Sequence, residues 1–273
     1  MIVAISVLSW IAAAVVFSFM ALVLLVLAGA ASPRSYDEVL KLLCRILVRC
    51  FPIRVEVSGL DGLDRRKSYL FIANHVNILD GFVLYGYLPW LFRGVELERH
   101  FSWPVYGWFI RTFGNIPVSP GSGARTAAGL RRADKALRSG ISILVLPEGH
   151  RTRTGALGGF GRGAFRIAER SGAEIVPVVM AGAFSVMRIS RWTVRPGTVR
   201  VVAGEPFVAR HDTAALRDLA RQRMLLMLRD AGDRGERPIR RHPPPPARPP
   251  ARPPARPAAR PAATPRPARE ALR

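Results

Sequence analysis

No charged side chain occurs before Arg34, and the stretch from Met1 to Pro33 is apolar almost throughout. A spanning helix needs about 20 consecutive apolar residues, so 1–33 reads as a transmembrane or membrane-anchoring segment. A secretory signal is the competing reading, because Ala28, Gly29 and Ala30 resemble a small-residue cleavage site. The apolar run is too long for one, and no positive n-region precedes it. Arg34, Lys41, Arg45 and Arg49 follow at once, so the positive-inside rule puts the rest of the chain on the cytoplasmic side of a cytoplasmic membrane.

Residues 34–53 continue as an amphipathic interfacial helix. In YDEVLKLLCRILVRCF, Val39, Leu40, Leu43, Ile46, Leu47 and Cys50 share one helical face, with Lys41, Arg45 and Arg49 in a stripe beside it. Cys44 and Cys50 have neither metal spacing nor a disulfide framework around them and are expected to pack.

From 54 to 231 short apolar runs alternate with helical segments. Strands are expected at 54–59, 69–74, 115–119, 141–147, 174–180 and 199–204. Ala127, Leu130, Ala133 and Leu137 recur at helical spacing, Gly172 is placed to end a helix, and Asp212 or Thr213 to begin the last one. The strands are rich in Val, Ile and Leu with little alternation, the mark of a sheet covered on both faces. The fold class is therefore α/β: a mainly parallel or mixed sheet covered by helices, with a membrane helix before it. Residues 232–273 are dominated by Pro, Ala and Arg, which cannot build a core, so a disordered tail is expected there.

The formal net charge is +22, and only 3 of the 41 basic residues are lysine. Behind a membrane segment, such a chain is drawn to anionic lipid headgroups and suits anionic substrates. From Arg234 onward the chain holds eleven arginines against Glu236 and Glu270, yet nothing resembles an aromatic-and-basic RNA-binding signature, and nucleic acid is not an expected partner.

Two polar clusters interrupt the apolar pattern, each just after an expected strand. The first is NHVNILD at 74–80. Five residues separate His75 from Asp80, so an unbroken helix would point them about 140° apart, and a turn between them is needed to bring carboxylate to imidazole. The second is LPEGHRTRTG at 146–155, with Glu148, His150, Arg151 and Arg153. Ligands of open α/β sheets bind outside the carboxyl ends of the strands, where both clusters fall. A neutral imidazole oriented by a carboxylate can take a proton from a hydroxyl, and forked guanidinium groups hold phosphate. His75, Asp80 and Arg151 together suggest an alcohol that carries a phosphate. The plainer reading, a strand-end histidine followed by an Asp80 that caps the helix of GFVLYGYL, is an equal alternative for the first cluster taken alone.

NHVNILD resembles the NHx4D box (the HX4D motif), and LPEGHR the FPEGTR box, of the PlsC-type glycerolipid acyltransferases. GAFRIA (163–168) and IVPVVM (175–180) are similar to that family's following helix and strand, so the resemblance covers about 54–205. It implies an O-acyltransferase of phospholipid biosynthesis that moves a fatty acyl group from acyl-CoA or acyl carrier protein, as co-substrate rather than cofactor, to 1-acyl-glycerol-3-phosphate. It implies His75 as general base, Asp80 as its partner, and Asn74, Glu148, Gly149 and Arg151 at the substrate. No acyl-enzyme is implied, and the chain has no GxSxG elbow. The family's second box ends in an arginine associated with acceptor phosphate. In GNIPVSP the corresponding place holds Pro120, leaving Arg125, Arg151 or Arg153 as substitutes. His150 stands where the family has threonine, and no role is assigned to it.

The alternatives are an acyltransferase for a different lysolipid and a non-catalytic basic protein that gathers lipid or nucleic acid. Spacing selects no metal site. His100, His211 and His242 have no spaced partners and read as surface or loop positions. The aromatic stretch 101–114 suits the core and the membrane interface equally, and GALGGFGRG (155–163) reads as a mobile loop.

Overall fold

Strands β2 (Leu70–Ala73) and β6 (Ile175–Ala181) have every residue buried, which fixes them at the centre of a sheet packed on both faces. The computed structural model describes residues 1–30, 34–119, 121–208 and 212–233. Pro120, His211, His242 and the expected disordered tail from 234 onward lie outside the described residues, whereas Gly232 and Asp233, also expected in the tail, are held by backbone bonds to the end of the last helix.

Around the central pair stand β1 (Ile53–Ser58), β3 (Phe92–Leu97), β4 (Ile116–Val118), β5 (Ser142–Val145) and β7 (Gly197–Ala203). The order is β1-β7-β6-β2-β5-β3-β4. β6, β2, β5, β3 and β4 run parallel; β7 is antiparallel to β6 and parallel to β1, so the sheet is mixed. Successive residues of β2 point to opposite faces. Phe71 and Ala73 pack toward α1 (Ile2–Ala30), α2 (Asp37–Arg49), α3 (Asp80–Tyr87) and α4 (Tyr106–Thr112). Leu70 and Ile72 pack toward α5 (Gly123–Arg138), α6 (Gly163–Ser171) and α8 (Thr213–Asp230). A single helical turn, α7 (Ala183–Val186), follows β6.

β3 is the strand that the sequence pattern does not announce. Its residues FRGVEL carry Arg93, Gly94 and Glu96, and only Phe92 and Arg93 are buried, so no apolar run marks it. It forms because β5 and β4 offer ladders on either side. Elsewhere Gly172 ends α6 in the left-handed conformation, and Asp212 caps α8 by accepting the amides of Ala214 and Ala215 at 2.7 and 2.9 Å.

α1 is apolar all round over Ile2–Leu27, with mean hydropathy 2.8, and is long enough to cross a membrane. One stripe of it, Ser6, Ser9, Ala13, Met20 and Leu24, is buried against the domain, while Val7, Leu8, Ile11, Val15, Phe19, Leu22 and Leu25 are exposed. Val194 donates its amide to Ser6 Oγ at 2.9 Å, the Trp10 indole donates to the Trp192 carbonyl at 2.7 Å, and Phe17 meets Phe82 and Phe109. The contacts run along most of the helix, so its exposed apolar side and its domain-facing side are different stripes of one element.

α2 departs from the expected single apolar face. Leu40, Leu43, Cys44, Leu47 and Val48 turn inward, whereas Val39, Leu42 and Ile46 are exposed. Lys41 is not in a surface stripe: it is buried, 2.7 Å from Asp37. The inward face wins because α1, α3 and β1 all pack on it, and Asp37 gives the ammonium group a partner there. Both cysteines are free thiols; burial pushes that of Cys44 up to about 12, which fits a packing residue.

Candidate active site

Strand β2 ends at Ala73, and the next seven residues carry the chain through a turn into α3. Asn77 builds the turn: its side-chain oxygen accepts the Leu79 amide at 2.9 Å, a local bond that asparagine supplies readily. The reversal returns Asp80, first residue of α3, to His75. Asp80 Oδ2 lies 2.8 Å from His75 Nδ1 and also accepts the Val76 amide at 2.6 Å, while the Asn77 amide reaches both carboxylate oxygens at 3.0 and 3.1 Å. Asp80 caps nothing downstream; its carboxylate faces back into the turn. The aspartate side chain is 2% exposed and the imidazole 24% exposed, so the pair is closed on one side and open on the other. Burial pushes the Asp80 carboxyl above the usual carboxylate range, opposed by the bond to His75, the imidazole charge and the two amides.

The loop after β5 holds this turn by its backbone. His75 donates its amide to Glu148 Oε1 at 2.8 Å, and the Thr152 amide donates to the His75 carbonyl at 2.8 Å. Glu148 Oε2 accepts the Gly158 amide at 2.8 Å. A Cβ at 158 would stand 2.8 Å from that same oxygen, so a larger residue there would displace the Glu148 carboxylate from its two amides. Burial also pushes the Glu148 carboxyl up, against the pull of these two amides and of the His75 and His150 imidazoles. Gly149 occupies φ 70°, a left-handed turn with open space around it, so its need is conformational and not steric.

The expected site residues therefore divide. His75, Asp80 and Glu148 are joined by hydrogen bonds, and Arg151 lines a cavity with Asn77 and Ile78 of the same turn. Glu148 and Asn74, expected at the substrate, both make bonds within the scaffold. Asn74 is buried, accepts the Met180 amide at 2.8 Å and donates to the Met180 carbonyl at 3.5 Å, clamping the end of β2 to β6. A side chain with both ends bonded to one neighbouring strand has little left to offer a ligand. Arg125 is exposed and paired with Glu98 at 3.0 Å, and neither it nor Arg153 lines the cavity beside the turn.

That cavity, about 240 Å³, lies between Asn77, Ile78 and Arg151 on one side and Met187–Trp192 on the other, with Trp10 of α1 in its wall. Arg188 and Arg191 line it and were not singled out by sequence reasoning. Their signal, MRISRW just after the turn that follows β6, is lost in a chain so rich in arginine. His100 was expected to have no partner; its Nδ1 lies 3.0 Å from Glu96 Oε2, four residues before it, and its ring packs on Trp103. The glycine-rich loop 155–163 was expected to be mobile. It is tethered: Gly161 donates to the Pro147 carbonyl, and Arg221 donates to the carbonyls of Gly158 and Leu157. Among the described residues no group of three or more His, Cys, Asp or Glu side chains is arranged to hold a metal ion.

An imidazole held by a buried carboxylate at the carboxyl end of a parallel strand, beside a loop that carries a guanidinium group, is an arrangement suited to deprotonating a hydroxyl on an anionic molecule. Residues 54–181 match the family model described as Acyltransferase. The chain is 28% identical over 155 residues to a chloroplastic 1-acyl-sn-glycerol-3-phosphate acyltransferase of Arabidopsis thaliana, covering 56% of this chain and 43% of the relative. It is 28% identical over 153 residues to the enzyme of that name from Pseudomonas aeruginosa, covering 56% and 58%. The alpha form from Homo sapiens is 28% identical over 205 residues, 72% of each chain. The chain spans about half the length of the plant and algal relatives it matches. In fold it is similar to the crystal structure of PlsC, the 1-acyl-sn-glycerophosphate acyltransferase from Thermotoga maritima, with TM-score 0.71 and 19% identity, covering 84% of this chain and 96% of that one.

Proposed function

We propose that the chain transfers a fatty acyl group from a thioester, acyl-CoA or acyl-ACP, to the hydroxyl of 1-acyl-glycerol-3-phosphate, forming phosphatidate at the cytoplasmic face of the membrane. The observation that carries this reading is the 2.8 Å contact between His75 Nδ1 and Asp80, with the imidazole side chain still 24% exposed. With Nδ1–H donated to Asp80, Nε2 is the lone-pair nitrogen and takes the proton of the acceptor hydroxyl. The alkoxide oxygen forms a bond to the thioester carbonyl carbon, the tetrahedral intermediate expels the thiolate, and the imidazolium returns the proton to sulfur. Asp80 stabilises the imidazolium while it exists. The outward stripe of α1 and the exposed Val39, Leu42 and Ile46 of α2 give the domain an apolar surface for lipid, so a lysophospholipid enters from the bilayer and a water-soluble donor from the other side. The relatives' names and the arginine-lined cavity support a phosphate-bearing acceptor.

Purified full-length protein in nanodiscs, given labelled acyl-CoA and a panel of lysolipids, tests the assignment. Lysophosphatidate is expected to give the highest kcat/KM. A larger value for a lysolipid without a terminal phosphate monoester overturns the acceptor, and turnover of none overturns the reaction.

A further inference from the structure

From the arginines exposed on α5 and α6 we infer a docking surface for an acidic acyl carrier protein, which makes acyl-ACP, and not acyl-CoA, the donor that this chain is built to receive. The inference rests on the thioester chemistry proposed above and names the carrier of the donor. α5 joins β4 to β5 and α6 joins β5 to β6, and these three strands run parallel, so both helices start at the carboxyl end of the sheet and descend side by side. At their far ends Asp134 of α5 is shared by Arg138 at 3.0 Å and by Arg170 of α6 at 3.9 Å. One turn nearer the site Arg131 and Arg166 are exposed, and Arg162 is exposed a further turn up. Among the described residues, no side-chain hydrogen bond or ion pair engages Arg131, Arg162 or Arg166. The carboxylates beside them are already bonded: Glu169 accepts the Thr213 hydroxyl at 2.6 Å, and Asp212 caps α8. A surface with surplus guanidinium groups and occupied carboxylates is complementary to an acidic partner.

The upper end of this band leads to the chemistry. Arg162 follows Gly161, whose amide donates to the Pro147 carbonyl at 2.7 Å, and the residue after that proline, Glu148, accepts the His75 amide at 2.8 Å. A carrier seated on α5 and α6 therefore presents its thioester arm beside the loop that braces the catalytic turn. The band also lies away from the membrane helix: α1 packs on the Phe71 side of the sheet, α5 and α6 on the Leu70 side. A bilayer that takes the exposed stripe of α1 leaves α5 and α6 to the aqueous phase, which favours a soluble acidic protein over anionic lipid. α5 has no aromatic side chain, and Phe165, the aromatic residue of α6, is buried, so the stacking platform of a single-strand nucleic acid site is missing.

The experiment compares wild type with R131E/R162E/R166E and the milder R131Q/R166Q, all full length, in nanodiscs of zwitterionic lipid and in a second set that contains anionic lipid. Palmitoyl-ACP and palmitoyl-CoA are the alternative donors, and lysophosphatidate is the acceptor. The charge reversal is expected to raise the palmitoyl-ACP KM about tenfold or more and the neutral variant about threefold, with kcat/KM for palmitoyl-CoA within about twofold of wild type, which also shows that the variants are folded. Salt raised from about 0.05 to about 0.3 M is expected to close most of the gap between wild type and charge reversal. Binding of the unacylated carrier, followed by fluorescence anisotropy, reads the surface without turnover. Equal palmitoyl-ACP kinetics in wild type and charge reversal, or no carrier binding by wild type, overturns the docking surface. An equal loss with both donors assigns the arginines to CoA phosphates or to the fold, a defect confined to anionic nanodiscs assigns them to the bilayer, and either overturns it too. A wild type that uses palmitoyl-CoA and not palmitoyl-ACP removes the partner and keeps the proposed reaction. Carrier binding that the charge reversal abolishes, in a chain that acylates no lysophosphatidate, keeps the surface and removes the proposed acceptor.

Discussion

Two buried aspartates lie on the α1–α4 side of the sheet, and they are put to different use. Asp80 faces His75, whose side chain is still 24% exposed; Asp37 faces Lys41 and the Tyr85 hydroxyl, and all three side chains are buried. The ingredients are alike: a carboxylate, a titratable cation and neighbouring hydrogen-bond donors. Asp80 is held by two backbone amides of its own turn, so its orientation is independent of the imidazole it serves. Asp37 is held by side chains of α2 and α3 only. Burial of a charged pair is thus compatible with chemistry where one partner stays open, and with helix attachment where neither does.

Breaking the open pair has the largest expected effect. His75→Ala removes the proposed base and is expected to lower kcat/KM for acyl transfer by about 10²–10⁴-fold with the fold intact. Asp80→Asn is expected to fall in the same range, since an amide no longer fixes the tautomer or stabilises the imidazolium. Steady-state rates with circular dichroism as a folding control check both. Activity within about threefold of wild type for His75→Ala would sink the mechanism.

Breaking the closed pair moves stability alone. Lys41→Met strands the Asp37 carboxylate in apolar surroundings, and loss of one member of a buried pair costs about 3–5 kcal/mol. The thermal midpoint in detergent is expected to drop by several degrees, while kcat per folded molecule is unchanged. A kinetic defect as large as the stability defect would show that the closed cluster couples to the site.

What could be read from sequence follows from how local each cause is. Residues 70–73 and 175–180 announce strands covered on both faces because each is an unbroken apolar run. The turn between His75 and Asp80 is legible because five residues cannot close on an unbroken helix. β3 is not legible, since its stability comes from two neighbouring ladders and not from its own Arg93, Gly94 and Glu96. The commitments of Asn74 to Met180 and of Glu148 to His75 and Gly158 are bonds to backbone far along the chain or in another loop, which spacing does not encode. α2 presented one apolar face on paper because periodicity ranks hydrophobicity and does not know that Asp37 awaits Lys41 inside.

Glu148 lies between the two cases, since it touches the catalytic turn through backbone alone. In Glu148→Gln only one end of the amide can accept, so either the His75 or the Gly158 amide faces another donor, at a cost of about 1–3 kcal/mol. About a tenfold fall in kcat is expected as His75 shifts. Burial raises the folded-state pKa of Glu148 above its unfolded value, so the folded protein holds that proton more tightly. Its contribution to stability is greatest below the ordinary glutamic acid range and declines as pH rises through the raised folded value. The difference in thermal midpoint between wild type and Glu148→Gln is therefore expected to narrow as pH rises through that window. A gap that widens would mean that the two amides outweigh burial.

The smallest expected effect is the sharpest check on the comparison. Tyr85→Phe removes one donor from Asp37 and leaves Lys41 in place, so the carboxylate stays paired and the ring stays packed against Phe113. Burial and the adjacent Asp37 push the Tyr85 hydroxyl far above its usual range, so it remains a neutral donor across the working pH range and its removal changes no charge. A loss of about 1–2 kcal/mol is expected, constant with pH, with kcat and both KM values unaltered. Because α3 begins at Asp80 and carries Tyr85 one turn further on, any slack at Tyr85 would reach His75 through the helix itself. An altered kcat in Tyr85→Phe, at full folding, would show that the closed cluster sets the position of the open one, and the two aspartates would then be parts of one device.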